Sequence, residues 1–223
     1  MQLSLPFQIS TQTNLFSEEN FLTLSENFAA INFLKKFFAQ KDFATAQFQS
    51  LILKGAPASG KTHLLHIFAA KFGAEFLDKE KITDVNPADF FAANHFYILE
   101  DVLQIKDEEL VLRLVNSAVE AKAFLILSAQ SAPQFRLKDL ASRLKNIFTI
   151  EIKNPSEESV KLLLTHSFAL KQIKLSRAVI DFLSDNVERS FAAVFAAVKM
   201  VELLAQENGK KVTLAEVKDL FKV

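Results

Sequence analysis

Eight consecutive residues, Gly55-Ala56-Pro57-Ala58-Ser59-Gly60-Lys61-Thr62, make a complete G-x-x-x-x-G-K-[ST] run. The chemistry such a run serves is the anchoring of a di- or triphosphate. Gly55 and Gly60 let the loop wrap so that backbone N–H groups point inward, and a helix starting at Lys61 presents its positive end to the same anion. Lys61 supplies a point charge to the β and γ phosphates, and Thr62 offers a hydroxyl to Mg²⁺. Only four glycines occur in the chain, and two of them occupy the required positions, which sets a chance glycine-rich turn aside.

A phosphate loop needs an acid on a neighbouring strand to hold the magnesium shell, and the pair Glu100-Asp101 follows an apolar run at 96–99. Glu stands first where Asp is usual. Its extra methylene moves the carboxylate outward, which predicts slow hydrolysis by the chain alone. Arg143 lies four residues after Asp139, and Arg189 four after Asp185. Spacing alone explains both as helix-surface ion pairs. His63 and His66, with no third ligand near them, are expected to pack on a helix surface and not to bind metal.

The elements that must position these groups follow from periodicity. Short apolar runs at 48–54, 96–99 and 124–127 read as buried parallel strands, 74–77 as a brief one, and 148–152 alternates like a fifth. Helices are expected from Ser25 as N-cap, with Phe28, Ile31, Leu34 and Phe38 on one face, then over 61–72 with a stop at Gly73, over 110–121 and over 137–145. After Pro155 only helices are expected, from about Glu157, Arg177, Ser190 and Leu214, with Ser156, Ser176 and Thr213 as caps and Thr213 with Glu216 as a capping box. The expected fold is α/β: a parallel sheet between helices, followed by a small all-helical lid.

Composition narrows the function classes. Lys+Arg and Asp+Glu both number 26 in 223 residues, so no net charge draws the chain onto nucleic acid or an anionic membrane. There is no cysteine, which excludes thiolate nucleophiles and Cys-ligated zinc and suits a reducing cytoplasm. No stretch is long and apolar enough for a membrane span, and residues 1–17 carry no Lys or Arg of a targeting signal. The uncharged start, with Leu3, Leu5 and Phe7 alternating around polar residues, reads as an extended peptide. Such a peptide suits a hydrophobic groove on a partner or an edge strand of its own sheet.

With these residues in view, the chain resembles the bacterial DnaA-type AAA+ proteins. The segment Gly-Lys-Thr-His-Leu-Leu-His at 60–66 is similar to their nucleotide loop and adds His63 to the nucleotide-binding set. Asn27 and the helix after it look like the segment leading to their adenine pocket. Asp139-Leu-Ala-Ser-Arg-Leu144 resembles the box carrying the arginine finger, and Asn186-Val-Glu-Arg189 resembles the lid's sensor 2. Ser128 and Gln130 fall where the family has sensor 1, with Gln in place of an acid.

The resemblance implies residues 14–154 as an AAA+ nucleotide-binding domain and 155–223 as a helical lid, with ADP or ATP and Mg²⁺ as cofactors, Mg²⁺ held through Thr62 and Glu100. Residues 1–13 would be a docking peptide for the DNA polymerase sliding clamp, using Gln2, Leu3, Leu5, Pro6 and Phe7. The chain ends after the lid helices, which implies no DNA-reading helix-turn-helix and only indirect contact with DNA. The implied role is regulation of the replication initiator DnaA, with Arg143 reaching the γ-phosphate that DnaA holds and Arg189 reaching the chain's own nucleotide. Self-assembly stays open. The alternatives are a DnaA-like ATPase or helicase loader driven by its own hydrolysis, and a non-enzymatic adaptor whose nucleotide only stabilises the fold.

Overall fold

Successive side chains of β1, β3 and β4 fall alternately into two cores, on the two faces of a single sheet. The computed structural model describes residues 16–79, 82, 86–132, 134–207 and 212–221; Gln2, Leu3, Leu5, Pro6 and Phe7 lie outside them. The strands are β1 (Ser50–Gly55), β2 (Glu75–Phe76), β3 (Phe96–Leu99), β4 (Phe124–Ala129) and β5 (Phe148–Ile152). All pairings are parallel, in the order β2-β3-β4-β1-β5. Leu51, Leu53, Ile98, Phe124 and Ile126 join one core, while Ile52, Tyr97, Leu99, Leu125 and Leu127 join the other. This is the period-two sorting of a sheet covered on both sides.

The helices divide between those two cores. α1 (Ser25–Phe38) and α2 (Lys61–Phe72) cover the first face; α3 (Glu108–Glu120) and α4 (Lys138–Lys145) cover the second. Beyond β5 come α5 (Glu157–Leu170), α6 (Arg177–Asn186), α7 (Phe191–Glu207) and α8 (Leu214–Leu220), with no strand among the described residues. Their apolar faces continue the first core through Val160, Leu164, Val179, Val194 and Val201. That core is rich in phenylalanine: Phe37, Phe38, Phe96 and Phe124 meet at ring distances of 4.6 to 5.9 Å.

Several expectations need correction. Ser25 is the first helical residue of α1, and the cap position falls to Leu24, whose N–H donates to Asn27 Oδ1 at 2.9 Å. The buried face of α1 runs through Asn27, Ile31, Leu34 and Phe38, and this leaves Phe28 58% exposed. β4 extends two residues past 127, so Ser128 lies inside a strand that is buried throughout. Ser176 makes no side-chain cap bond, whereas Ser156 accepts from Ser159 N–H and Thr213 with Glu216 closes the capping box. The last long helix starts at Phe191, with Ser190 Oγ accepting from Ala193 N–H at 3.2 Å. No described helix is long and apolar enough to cross a membrane.

Candidate nucleotide site

Parallel pairing brings the carboxyl ends of β1, β3 and β4 to one edge of the sheet, where open α/β folds keep their binding crevice. Register sets Lys54 beside Ala129, Gly55 beside Ile152 and Leu99 beside Leu127. The loop 55–60 therefore emerges from β1 beside Glu100 and Asp101, which leave β3. The loop is tightly built. A Cβ on Gly55 would stand 2.7 Å from Ser59 Oγ and 3.1 Å from the Ile152 carbonyl oxygen, so any larger residue must push both aside. Gly60 has φ +86° and passes within 3.1 Å of the Phe21 ring, counted from where its Cβ would be.

Polar groups converge on this loop, and some of them are left without a partner among the described residues. Lys61 is only 7% exposed, and its Nζ donates to the carbonyl oxygens of Gly55 at 2.7 Å and Ala56 at 3.1 Å. Burial pushes its ammonium below the usual lysine range, while the negative field of Asp101 and Glu100 acts the other way. Ser59 Oγ and Glu100 Oε1 are buried with no hydrogen-bond partner among the described residues. Unpaired buried oxygens are costly, and a cluster of them around a desolvated cation marks a site built for something polar. Thr62 is exposed at the start of α2.

Ser128, in the stretch that resembles sensor 1, bonds to the chain leaving β3. It is 1% exposed, and its Oγ accepts from Asp101 N–H at 2.9 Å. This holds Asp101 in a left-handed turn with φ 46°, directly after Glu100. Gln130 lies past the strand end and is exposed.

Beside the loop opens a cavity of about 490 Å³, a size suited to a nucleoside. One wall is the segment 20–24 with Ala58, Ser59, Gly60 and His63; the other is α5 and α7, through Leu163, His166, Leu170, Phe191 and Phe195. Asn27, 2% exposed, fixes the first wall from inside: its Nδ2 donates to the Leu22 carbonyl at 3.0 Å while its Oδ1 takes the Leu24 N–H. His63 Nε2 lies 2.9 Å from the Ser17 carbonyl oxygen, and its ring meets Phe16 and Phe21 edge to face. Burial holds His63 below the usual histidine range, against the bond to Ser17 and with the help of His66. His66 stacks between Phe16 and Phe76, both at 4.3 Å. Both histidines thus pack against aromatic rings, and no group of three or more candidate metal ligands occurs among the described residues.

The two arginines stand apart from this cluster. Arg143 is exposed on α4 and forms no ion pair among the described residues, so the expected Asp139 pair is not made. Arg189 does not pair with Asp185 either; its Nη2 lies 2.9 Å from Glu157 Oε2 at the start of α5. The apolar wall of α5 and α7 is absent from the expected site residues. Two of its residues, Leu170 and Phe195, are large apolar side chains left 52% and 40% exposed.

No protein-family model matches the chain. It is 27% identical over 208 residues to the chromosomal replication initiator protein DnaA of Oleidesulfovibrio alaskensis, covering 80% of this chain and 45% of the relative. It is 24% identical to DnaA of Flavobacterium psychrophilum, covering 78% and 41%. The chain thus spans less than half the length of these relatives. Domain III of the Thermotoga maritima replication initiation protein DnaA superposes with a TM-score of 0.74 at 19% identity, covering 94% of this chain and 98% of that one. A replication initiator DnaA bound to AMPPCP and single-stranded DNA gives 0.63 at 18%, covering 87% and 68%. The Thermotoga maritima RuvB Holliday junction branch migration motor gives 0.61 at 13%, covering 86% and 67%. The chain thus shows weak sequence similarity to DnaA, and its sheet and helices match the AAA+ fold of DnaA domain III.

Proposed function

We propose that this chain binds an adenine nucleotide with Mg²⁺ and, in that state, switches off the replication initiator DnaA in the manner of the DnaA homologue Hda. The observation that carries the nucleotide reading is the trio of Lys61, Ser59 and Glu100. The loop carries a nearly buried ammonium and the buried Ser59 Oγ, and Glu100 Oε1 is buried at the end of β3. Neither oxygen has a partner among the described residues, and an apolar cavity of nucleoside size opens beside the loop. These residues fit the group. The loop 55–60, Lys61 and Thr62 would hold the phosphates, Thr62 and Glu100 the Mg²⁺ shell, and residues 20–24 with α5 and α7 the base and sugar. Mg²⁺ supplies charge neutralisation at the phosphates, and such an ion relies on few protein ligands besides them. The structure of a DnaA with bound AMPPCP supports an adenine nucleotide.

In this reading residues 14–154 are the nucleotide-binding domain and 155–223 its lid, and the protein acts in the cytoplasm. Arg143, exposed and unpaired among the described residues, acts on the phosphate held by DnaA, and Asp101 orders Glu100 at the chain's own site. Residues 1–13 dock on the sliding clamp through Gln2, Leu3, Leu5, Pro6 and Phe7, so that DNA is met only through the clamp. The test is DnaA-ATP hydrolysis in the presence of DNA-loaded clamp. The chain should accelerate it, Arg143→Ala should remove the acceleration while keeping clamp capture, and changes at Gln2 and Leu5 should remove capture. Full acceleration by Arg143→Ala would overturn the finger. Turnover by the isolated chain, lost in Lys61→Ala, would favour a DnaA-like ATPase or helicase loader acting by its own hydrolysis.

A further inference from the structure

The two walls of the cavity belong to parts of the chain more than a hundred residues apart, yet both are fastened at one place. Asn27 ties down the segment 20–24 by accepting from Leu24 and donating to Leu22. Its neighbour Glu26 reaches the other way. Glu26 Oε1 accepts from Ser156 N–H at 2.8 Å and Oε2 from Ser159 Oγ at 2.7 Å, so the carboxylate sits on the first turn of α5. The Glu26 carbonyl oxygen also takes Lys153 N–H at 3.4 Å, in the connection between β5 and α5. Glu26 thus lies between the positive ends of two helices, α1 and α5, where a carboxylate is favoured. Burial opposes its charge, but the bonds from Ser159 and Ser156 prevail and hold its pKa at about 2.

We infer that the first turn of α1 is the fastening point of both cavity walls, with Glu26 the positioning residue that sets where α5 stands over a bound nucleotide. Glu26 does not line the cavity itself. It acts through α5, whose Leu163, His166 and Leu170 do. This rests on the nucleotide reading above, because the position of α5 matters to affinity only if the cavity is the nucleoside site.

The experiment uses the full chain with Glu26→Ala, Glu26→Gln and Ser159→Ala. ADP affinity is measured by calorimetry at 15 °C, with amide exchange at residues 156–160 and thermal midpoints alongside. Glu26→Ala should weaken ADP about tenfold or more and speed exchange in the first turn of α5. Ser159→Ala should do both to a smaller degree, and Glu26→Gln, which keeps an acceptor for Ser156 N–H, should recover part of the loss. A merely stabilising carboxylate would lower the midpoint and leave affinity unchanged, so wild-type ADP affinity within twofold in both Glu26→Ala and Ser159→Ala overturns the inference. Should Glu26→Ala not fold, Ser159→Ala and Glu26→Gln decide it. If the wild type binds no ADP, the nucleotide reading fails; the fastening itself then stands or falls on the exchange rates.

Discussion

Lys61 Nζ lies 2.7 Å from the carbonyl oxygen of Gly55, the first residue of the loop that Lys61 closes. The lysine thus bridges the beginning of its own loop instead of reaching solvent, and it does so nearly buried. An ammonium held this way is a desolvated charge whose full stabilisation comes only from an anion.

Lys61→Met should therefore separate stability from binding. Removing the buried charge while keeping an apolar stem is expected to leave the unliganded protein as stable as the wild type or slightly more so. Nucleotide affinity should fall roughly 10- to 100-fold, the size of one lost charged hydrogen-bonding group. Thermal melts and calorimetry on the same preparation check both halves.

Gly55→Ala addresses the loop's shape. The new Cβ would meet Ser59 Oγ at 2.7 Å and a backbone oxygen at 3.1 Å, and the latter cannot rotate away. A loss of about 1–3 kcal/mol is expected. At this chain length that lowers the melting midpoint by roughly 3–10 °C. An unchanged midpoint would mean that the loop relaxes more freely than its packing implies.

Glu26 gives the fold an acid-sensitive fastening. Its folded pKa, about 2, lies below the ordinary 4.5, so its contribution is complete above pH 4.5 and is lost as pH falls from there towards 2. Allowing for solvent at a part-exposed carboxylate, the contribution is about 1–2 kcal/mol. Urea midpoints at pH 6 and pH 3 should drop more for the wild type than for Glu26→Gln, in which that titration is absent.

Arg189 and Glu157 form a pair with side chains 63% and 53% exposed, so its own worth is small. Glu157→Ala should stay within about 0.5 kcal/mol of the wild type in chemical denaturation. Arg189→Ala should be equally mild for stability and, on the role that the resemblance to sensor 2 implies, should weaken nucleotide binding. Equal nucleotide affinity in wild type and Arg189→Ala would remove Arg189 from the site.

The sheet was legible in sequence because strands such as 51–53 and 124–127 are unbroken apolar runs, which a sheet covered on both sides demands. The tight loop at 55–60 was legible because its backbone shape needs glycine at fixed spacing. What stayed hidden depends on partners distant in the chain. Local spacing offers Asp185 to Arg189, but the fold supplies Glu157, 32 residues away. Glu26 reads as an ordinary first-turn acid, and its partners Ser156 and Ser159 lie 130 and 133 residues on. Phe28 shares the helical period of Ile31 and Leu34, yet the core-facing arc ends before it, since the buried polar Asn27 takes its place. The cavity wall of α5 and α7 is invisible for a related reason: an amphipathic helix declares that a face is apolar, not what covers it.

The most direct measurement is titration calorimetry of the purified chain with ADP and with ATP in the presence of Mg²⁺, run beside Lys61→Met. The account predicts saturable binding of one nucleotide per chain, weakened in the variant. Absence of any binding heat across a range of temperatures, with thermal melts unmoved by millimolar nucleotide, would contradict it.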